Sequence, residues 1–111
     1  MAVRLIALYA QPEDPAAFDL HYLNVHTPIV SRYPKLRGVH AIRADGVAGR
    51  PPGFYMVSEM VFDSRADLDA ALASDAGIES GKDLRNFAGA GVTLLVVDDG
   101  AALMPWLRKA R

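Results

Sequence analysis

The chain has 111 residues, 51% hydrophobic and 23% charged, which is the composition of one folded domain (residues 1–111) and not of a disordered segment. Twelve Lys and Arg against thirteen Asp and Glu leave a net charge of −1, so no basic surface tracks a phosphate backbone and no nucleic-acid partner is expected. The absence of cysteine excludes disulfides, thiolate metal sites and cysteine nucleophiles. Apolar runs fall far short of the ~20 residues of a membrane span, and the start of the chain lacks a signal-peptide layout, so no membrane partner and a cytoplasmic location are expected.

Val3–Tyr9 is rich in β formers and stops before the breaker run Gln11-Pro12-Glu13-Asp14-Pro15, which predicts a first strand. Asp14-Pro15 then starts a helix. The carboxylate caps free backbone N–H groups, and proline has no N–H to leave unsatisfied at the first helical position. Phe18, Tyr22, Val25, His26, Ile29 and Tyr33 recur at helical spacing on one face. Pro28 cannot donate to the carbonyl of Asn24 and its ring crowds that carbonyl, which predicts a kink or break. Tyr33-Pro34 ends the element. Gly38–Ala44 reads as the second strand, Gly46–Gly53 as a loop, and Phe54–Phe62 as the third strand. Ser64, with Asp67 in a weak capping box, opens a second helix that ends near Gly77. Ile78–Asn86 reads as one or two further helical turns and Phe87–Gly91 as a loop. Val92–Val97 is the fourth strand. The tail, Ala101–Arg111, reads as a short helix broken at Pro105 or as a solvated basic end.

The order β-α-β-β-α-β is that of an α+β, ferredoxin-like sandwich. Two helices cover one sheet face. The strands are apolar on both faces, however. In the third strand Phe54, Met56, Ser58, Met60 and Phe62 back onto Tyr55, Val57, Glu59 and Val61. A second copy packed sheet against sheet, a homodimer, is the simplest cover for the face without helices; a tail folded over that face is the alternative.

No metal motif links His21, His26 and His40. On an α-helix His21 and His26 stand about 140° apart and do not converge, so no metal site is expected. Glycine-rich nucleotide loops and the serine-hydrolase elbow are likewise missing. His26 lies on the apolar stripe, one turn after Tyr22 and beside the carbonyl that Pro28 leaves free. An imidazole there suits proton transfer near neutral pH, or else a hydrogen bond across the kink. Glu59 is the one acidic residue inside an apolar strand face. It needs either a His or Arg partner beside a cavity or an edge position that reaches solvent. Asp14 reads as a cap. Tyr9, Tyr22, Tyr33 and Tyr55 are candidate donors to a ligand oxygen or ordinary core residues.

The ordered combination Leu8-Tyr9-Ala10-Gln11-Pro12-Glu13-Asp14-Pro15-Ala16-Ala17-Phe18, Tyr22, His26, Pro28, Tyr33-Pro34 and Gly38 resembles the EthD family. The resemblance continues through Phe62-Asp63-Ser64, the alanine-rich second helix to Ser74, and Asp83-Leu84-Arg85-Asn86-Phe87. The family's usual Pro-Gly-Leu is here Pro34-Lys35-Leu36. The resemblance implies a dimeric α/β barrel of two ferredoxin-like halves. Related barrels include cofactor-free isomerases, polyketide cyclases, monooxygenases and haem-degrading enzymes, with a cavity between the sheet and the first helix. It implies Tyr22 and His26 as pocket residues, with Phe87 nearby.

Taken together, these readings lead to a small protein that works without a cofactor on a hydrophobic oxygenated metabolite. Proton transfer beside a carbonyl is the expected chemistry, of isomerase, cyclase or lyase type. His26 is the expected base or acid and Tyr22 the oxyanion donor, with Tyr9, Glu59 and Phe87 lining the substrate site. Glu59 orients the imidazole if it comes close enough. Two other classes stay open: an accessory protein that binds a small molecule without turnover, and a haem-binding or monooxygenase-like barrel with His26 as axial ligand.

Overall fold

The computed structural model describes residues 2–104 and 109. Four strands, β1 (Val3–Tyr9), β2 (Gly38–Arg43), β3 (Met56–Phe62) and β4 (Val92–Asp98), form one sheet in the order β2-β3-β1-β4. Every neighbouring pair is antiparallel. This is the ferredoxin-like arrangement expected from the element order. Strict alternation sets the inner face: Val3, Leu5, Ala7 and Tyr9 of β1 and Met56, Ser58, Met60 and Phe62 of β3 are all buried beneath helices.

The helical layer starts with α1 (Pro15–His21). Asp14 Oδ1 accepts from Ala17 N at 3.1 Å, the cap that Asp14-Pro15 predicts. The stripe then passes through a π turn, Tyr22–His26, into the short α2 (Thr27–Val30). The turn is the form that the expected Pro28 kink takes. Proline offers Asn24 no N–H, and the chain closes the wider ring in which Thr27 N donates to Tyr22 O instead. Lys35 sits in the left-handed region at φ 59°.

The second half departs from expectation. The expected helix to Gly77 ends earlier, as α3 (Arg65–Ala73), and the helical turns expected over Ile78–Asn86 belong to a thirteen-residue helix, α4 (Asp75–Phe87), that already starts before Gly77. Ser64 Oγ accepts from Asp67 N and Ser74 Oγ accepts from Gly77 N, each at 3.1 Å, so each helix has its own cap. The corner between them needs Gly77: a Cβ there would stand 2.2 Å from the Ala71 carbonyl oxygen. Residues Ala76, Gly77, Ser80 and Asp83 of α4 are buried. That face is small and polar, so no apolar stripe announces it.

β3 starts at Met56, two residues later than expected. Tyr55 therefore lies outside the strand's alternation. Its buried ring packs edge-on to Phe18 on the helical side, and its hydroxyl donates to Asp19 at 2.8 Å. The outer sheet face carries Arg4, Ile6 and Leu8, Ile42, Val57 and Val61, and Leu95 and Val97, with no described helix over it. After a 3₁₀ turn at Asp99–Ala101, Leu103 and Met104 are exposed. The expected break at Pro105 and the basic residues Arg108 and Arg111 lie outside the described residues. Among the described residues no helix is long and apolar enough to cross a membrane.

Candidate functional site

Between α4 and the helical segment that runs from α1 through the π turn, one carboxylate holds two imidazoles. Asp83 Oδ2 lies 2.8 Å from His26 Nδ1, and Asp83 Oδ1 lies 2.8 Å from His21 Nε2. Asn86 Nδ2 donates to Oδ1 at 2.9 Å. The expectation that His21 and His26 diverge fails because of the π turn. Its repeat joins residues five apart, so His21 and His26 stand one above the other and meet the same side chain.

Burial of Asp83 would raise its carboxyl, but the hydrogen bonds from Asn86, His21 and His26 outweigh that and hold it below its ordinary value of 3.8. It is therefore ionised near neutral pH and can only accept, so both facing ring nitrogens carry hydrogen. Burial lowers His26 below its ordinary 6.5, and the hydrogen bond and charge of Asp83 offset only part of that. His26 is thus a neutral imidazole with its proton on Nδ1. Among the described residues Nε2 makes no hydrogen bond. A buried base with a free lone pair, fixed in one tautomer by a carboxylate, is equipped to take up a proton.

His26 lines a cavity of about 70 Å³ together with Tyr9, Tyr33, Met60, Leu84 and Leu94. Tyr33 and Ser80 hydroxyls bond to each other. The Tyr9 hydroxyl, on a residue 2% exposed, has no hydrogen-bond partner among the described residues. Burial, with the neighbouring Tyr22, Tyr33 and Asp83, pushes it well above the usual phenol range, so it stays a donor. His21 opens on the other side, into a cleft of about 600 Å³ lined by Asp14, Phe18, Asn86 and Phe87. Phe87 lines the cleft and not the cavity, and its ring touches both imidazoles: it stacks on His21 with centroids 5.1 Å apart and tilts against His26 at 4.7 Å.

Of the residues singled out from sequence, the structure gathers His26, Tyr9, Phe87 and the ring of Tyr22, whose centroid is 5.7 Å from that of His26. The Tyr22 hydroxyl, however, is engaged with Ser58 Oγ at 2.9 Å, and it borders a separate recess near Arg43. Glu59 is not brought to the cluster. It points to the outer sheet face, 3.6 Å from His40 Nε2, because strand alternation puts it opposite Ser58 and Met60. The residue that orients His26 is Asp83. Sequence reasoning passes over Asp83 and sets His21 aside. The available signal is an acidic residue in the small-residue series Ala76, Gly77, Ser80, with Phe87 one turn later. Among the described residues no group of three His, Cys, Asp or Glu is placed to hold a metal ion. The cavity beside His26 is under half the ~150 Å³ that takes benzene, so a porphyrin does not fit there.

The family model for the EthD domain matches residues 10–91, which include every member of the cluster except Tyr9. The chain belongs to the EthD family. An uncharacterised 11.0 kDa protein of Rhodococcus erythropolis, from the thcB-thcC intergenic region, is 38% identical over 100 residues, covering 90% of this chain and 97% of that protein. The crystal structure of an EthD family protein from Bacillus halodurans is 43% identical, covers 88% of this chain and 98% of that one, and superposes with a TM-score of 0.83. More distant chains share the fold. SnoaB of Streptomyces nogalater, a cofactor-independent oxygenase, is 16% identical (TM-score 0.67; 92% and 96% covered). The hydroxynitrile lyase of Passiflora edulis is 17% identical (TM-score 0.69; 86% and 91% covered).

Proposed function

We propose that this EthD protein acts on a small molecule by proton transfer, with His26 Nε2 as the atom that takes and returns the proton. The observation that carries the reading is the Asp83–His26 pair beside a small, largely apolar cavity. The neutral imidazole accepts a proton from carbon next to a carbonyl, or from a hydroxyl. The imidazolium that forms is stabilised by the Asp83 carboxylate, which has no need to move. The proton then returns to the substrate at the same or a neighbouring atom. The Tyr9 hydroxyl supplies the donor for the oxygen on which negative charge develops, the role that sequence alone assigns to Tyr22. The described fold relatives support the reading only to the extent that small-molecule chemistry runs on this scaffold.

The test is deuterium incorporation into ketones in heavy water. The wild-type protein is expected to accelerate exchange, and His26→Gln to lower the rate by about 10²–10⁴-fold. Binding without exchange in the parent would favour an accessory protein; equal exchange in both would remove His26 from the chemistry.

We further infer that the protein works as a homodimer. Seven apolar side chains, Ile6, Leu8, Ile42, Val57, Val61, Leu95 and Val97, share the outer face, where a solvated sheet face alternates to polar residues. Light scattering at micromolar concentration should give twice the 12.0 kDa chain mass. A stable monomer would refute this part.

A further inference from the structure

We propose that the cavity takes a short-chain, uncharged carbonyl compound, and that Gly81 sets the size of what enters. The proposal rests on His26 as the working base and adds the class of ligand and its route.

The volume bounds the ligand first. A cavity of about 150 Å³ holds benzene, so about 70 Å³ holds a group of roughly three or four non-hydrogen atoms. The lining bounds the charge. Leu5, Ala7, Met60 and Leu84 present only apolar atoms, and no Lys, Arg, Asp or Glu side chain lines the cavity. An ionised ligand would be desolvated there without a counter-charge. The remaining polar atoms bound the chemistry. Tyr33 donates to Ser80 Oγ, whose own hydrogen goes to the Gly77 carbonyl. The unengaged Tyr9 hydroxyl donates, and the unengaged His26 Nε2 accepts. A carbonyl oxygen on Tyr9 with its acidic C–H turned to His26 uses both.

The route follows from Leu94 and Gly81. Leu94 stands on the inner sheet face yet is 53% exposed, because the helical layer leaves that part of β4 uncovered. Leu72 and Gly81 complete the rim. Gly81 lies in the middle of α4, where glycine is the poorest helix former after proline. Packing does not demand it: an added Cβ meets nothing within 4 Å, in contrast to Gly77 four residues earlier, where a Cβ collides with backbone. A glycine that weakens its helix and faces open space at the mouth of a cavity keeps that mouth wide.

The test uses protein carrying ¹⁵N-labelled histidine, with acetone (four non-hydrogen atoms) and 2-tetralone (eleven) as probes. Acetone is expected to shift the His26 Nε2 resonance saturably in the millimolar range; 2-tetralone at its solubility limit is expected to leave it in place. Gly81→Leu should weaken acetone by about tenfold or more, the scale of a few methylenes in a fitted pocket. Gly81→Ala should raise Tm, since alanine favours the helix, while still weakening acetone measurably. Tyr9→Phe should weaken acetone about fivefold. Undiminished acetone binding in Gly81→Leu, or a 2-tetralone shift matching that of acetone, overturns the proposal. If Gly81→Leu does not fold, Gly81→Ala decides: unchanged acetone binding overturns it. Acetone binding that depends on Gly81 without deuterium exchange would refute His26 as base and leave the ligand class standing. Exchange confined to large ketones would do the reverse.

Discussion

Asp83→Asn tests whether one carboxylate organises both histidines. The substitution keeps the volume and removes the charge. Asp83 accepts from His21 Nε2, His26 Nδ1 and Asn86 Nδ2 at 2.8, 2.8 and 2.9 Å, and is 6% exposed. An amide offers one oxygen and one NH₂, so it cannot accept from both ring N–H groups. One imidazole must lose its bond or change tautomer. A buried hydrogen bond to a charged group contributes roughly 1.5–3 kcal/mol and a neutral one about 1 kcal/mol, so the expected loss is about 2–3 kcal/mol. For a chain of this length that lowers Tm by roughly 10 °C. If the amide N–H faces His26, its proton moves to Nε2 and the lone pair turns away from the cavity. Imidazole ¹⁵N shifts distinguish the two tautomers directly, and ketone exchange should fall with the change. A variant that keeps the His26 Nδ1–H form, with Tm lowered by less than about 2 °C, would refute the orienting role of Asp83.

Four further outcomes are expected. Because the fold lowers His26, the unfolded chain binds more protons below its ordinary value of 6.5; stability is full above that pH and declines as pH falls through it, with a second loss below about 3.8 as the depressed Asp83 is protonated. Urea titrations across pH should show the first decline in the parent and a flatter profile in His26→Gln. Pro28→Ala restores an N–H for the Asn24 carbonyl, converts the π turn toward α and swings His26 away from His21; the imidazole–Asp83 signals should change while stability moves by about 1 kcal/mol or less. Tyr22→Phe leaves the Ser58 hydroxyl buried without its partner and should cost about 1–3 kcal/mol in denaturant unfolding, with little effect on exchange; adding Ser58→Ala should recover part of the loss. Lys35→Gly relieves a left-handed backbone at φ 59° and should raise stability by about 1 kcal/mol in the same assay.

Local chemistry wrote much of this molecule into its sequence. The Asp14-Pro15 start, the Ser64 cap and the four runs of β formers are decided within a few residues of each other, and their order leads to the ferredoxin-like sheet. The pattern of residues from Leu8 to Phe87 also carried the family. His26 was legible because an imidazole on an apolar stripe stands out by itself, whereas Phe87 came only with the family resemblance. α4 was not legible. Its buried face is alanine, glycine, serine and aspartate, and close packing on α3 and on the helical turns around His21 and His26, not hydrophobicity, makes that face an inner one. The meeting of His21 and His26 depended on a turn of π helix, which shifts the angular repeat by one residue and overturns any count made at 3.6 residues per turn. Glu59 could be placed on a strand, but strand register decided that it faces away from His26. Asp83 lies 57 residues beyond His26 in the chain. No local rule joins them; the packing of α4 against the π turn does, and it fixes which nitrogen of His26 carries the proton.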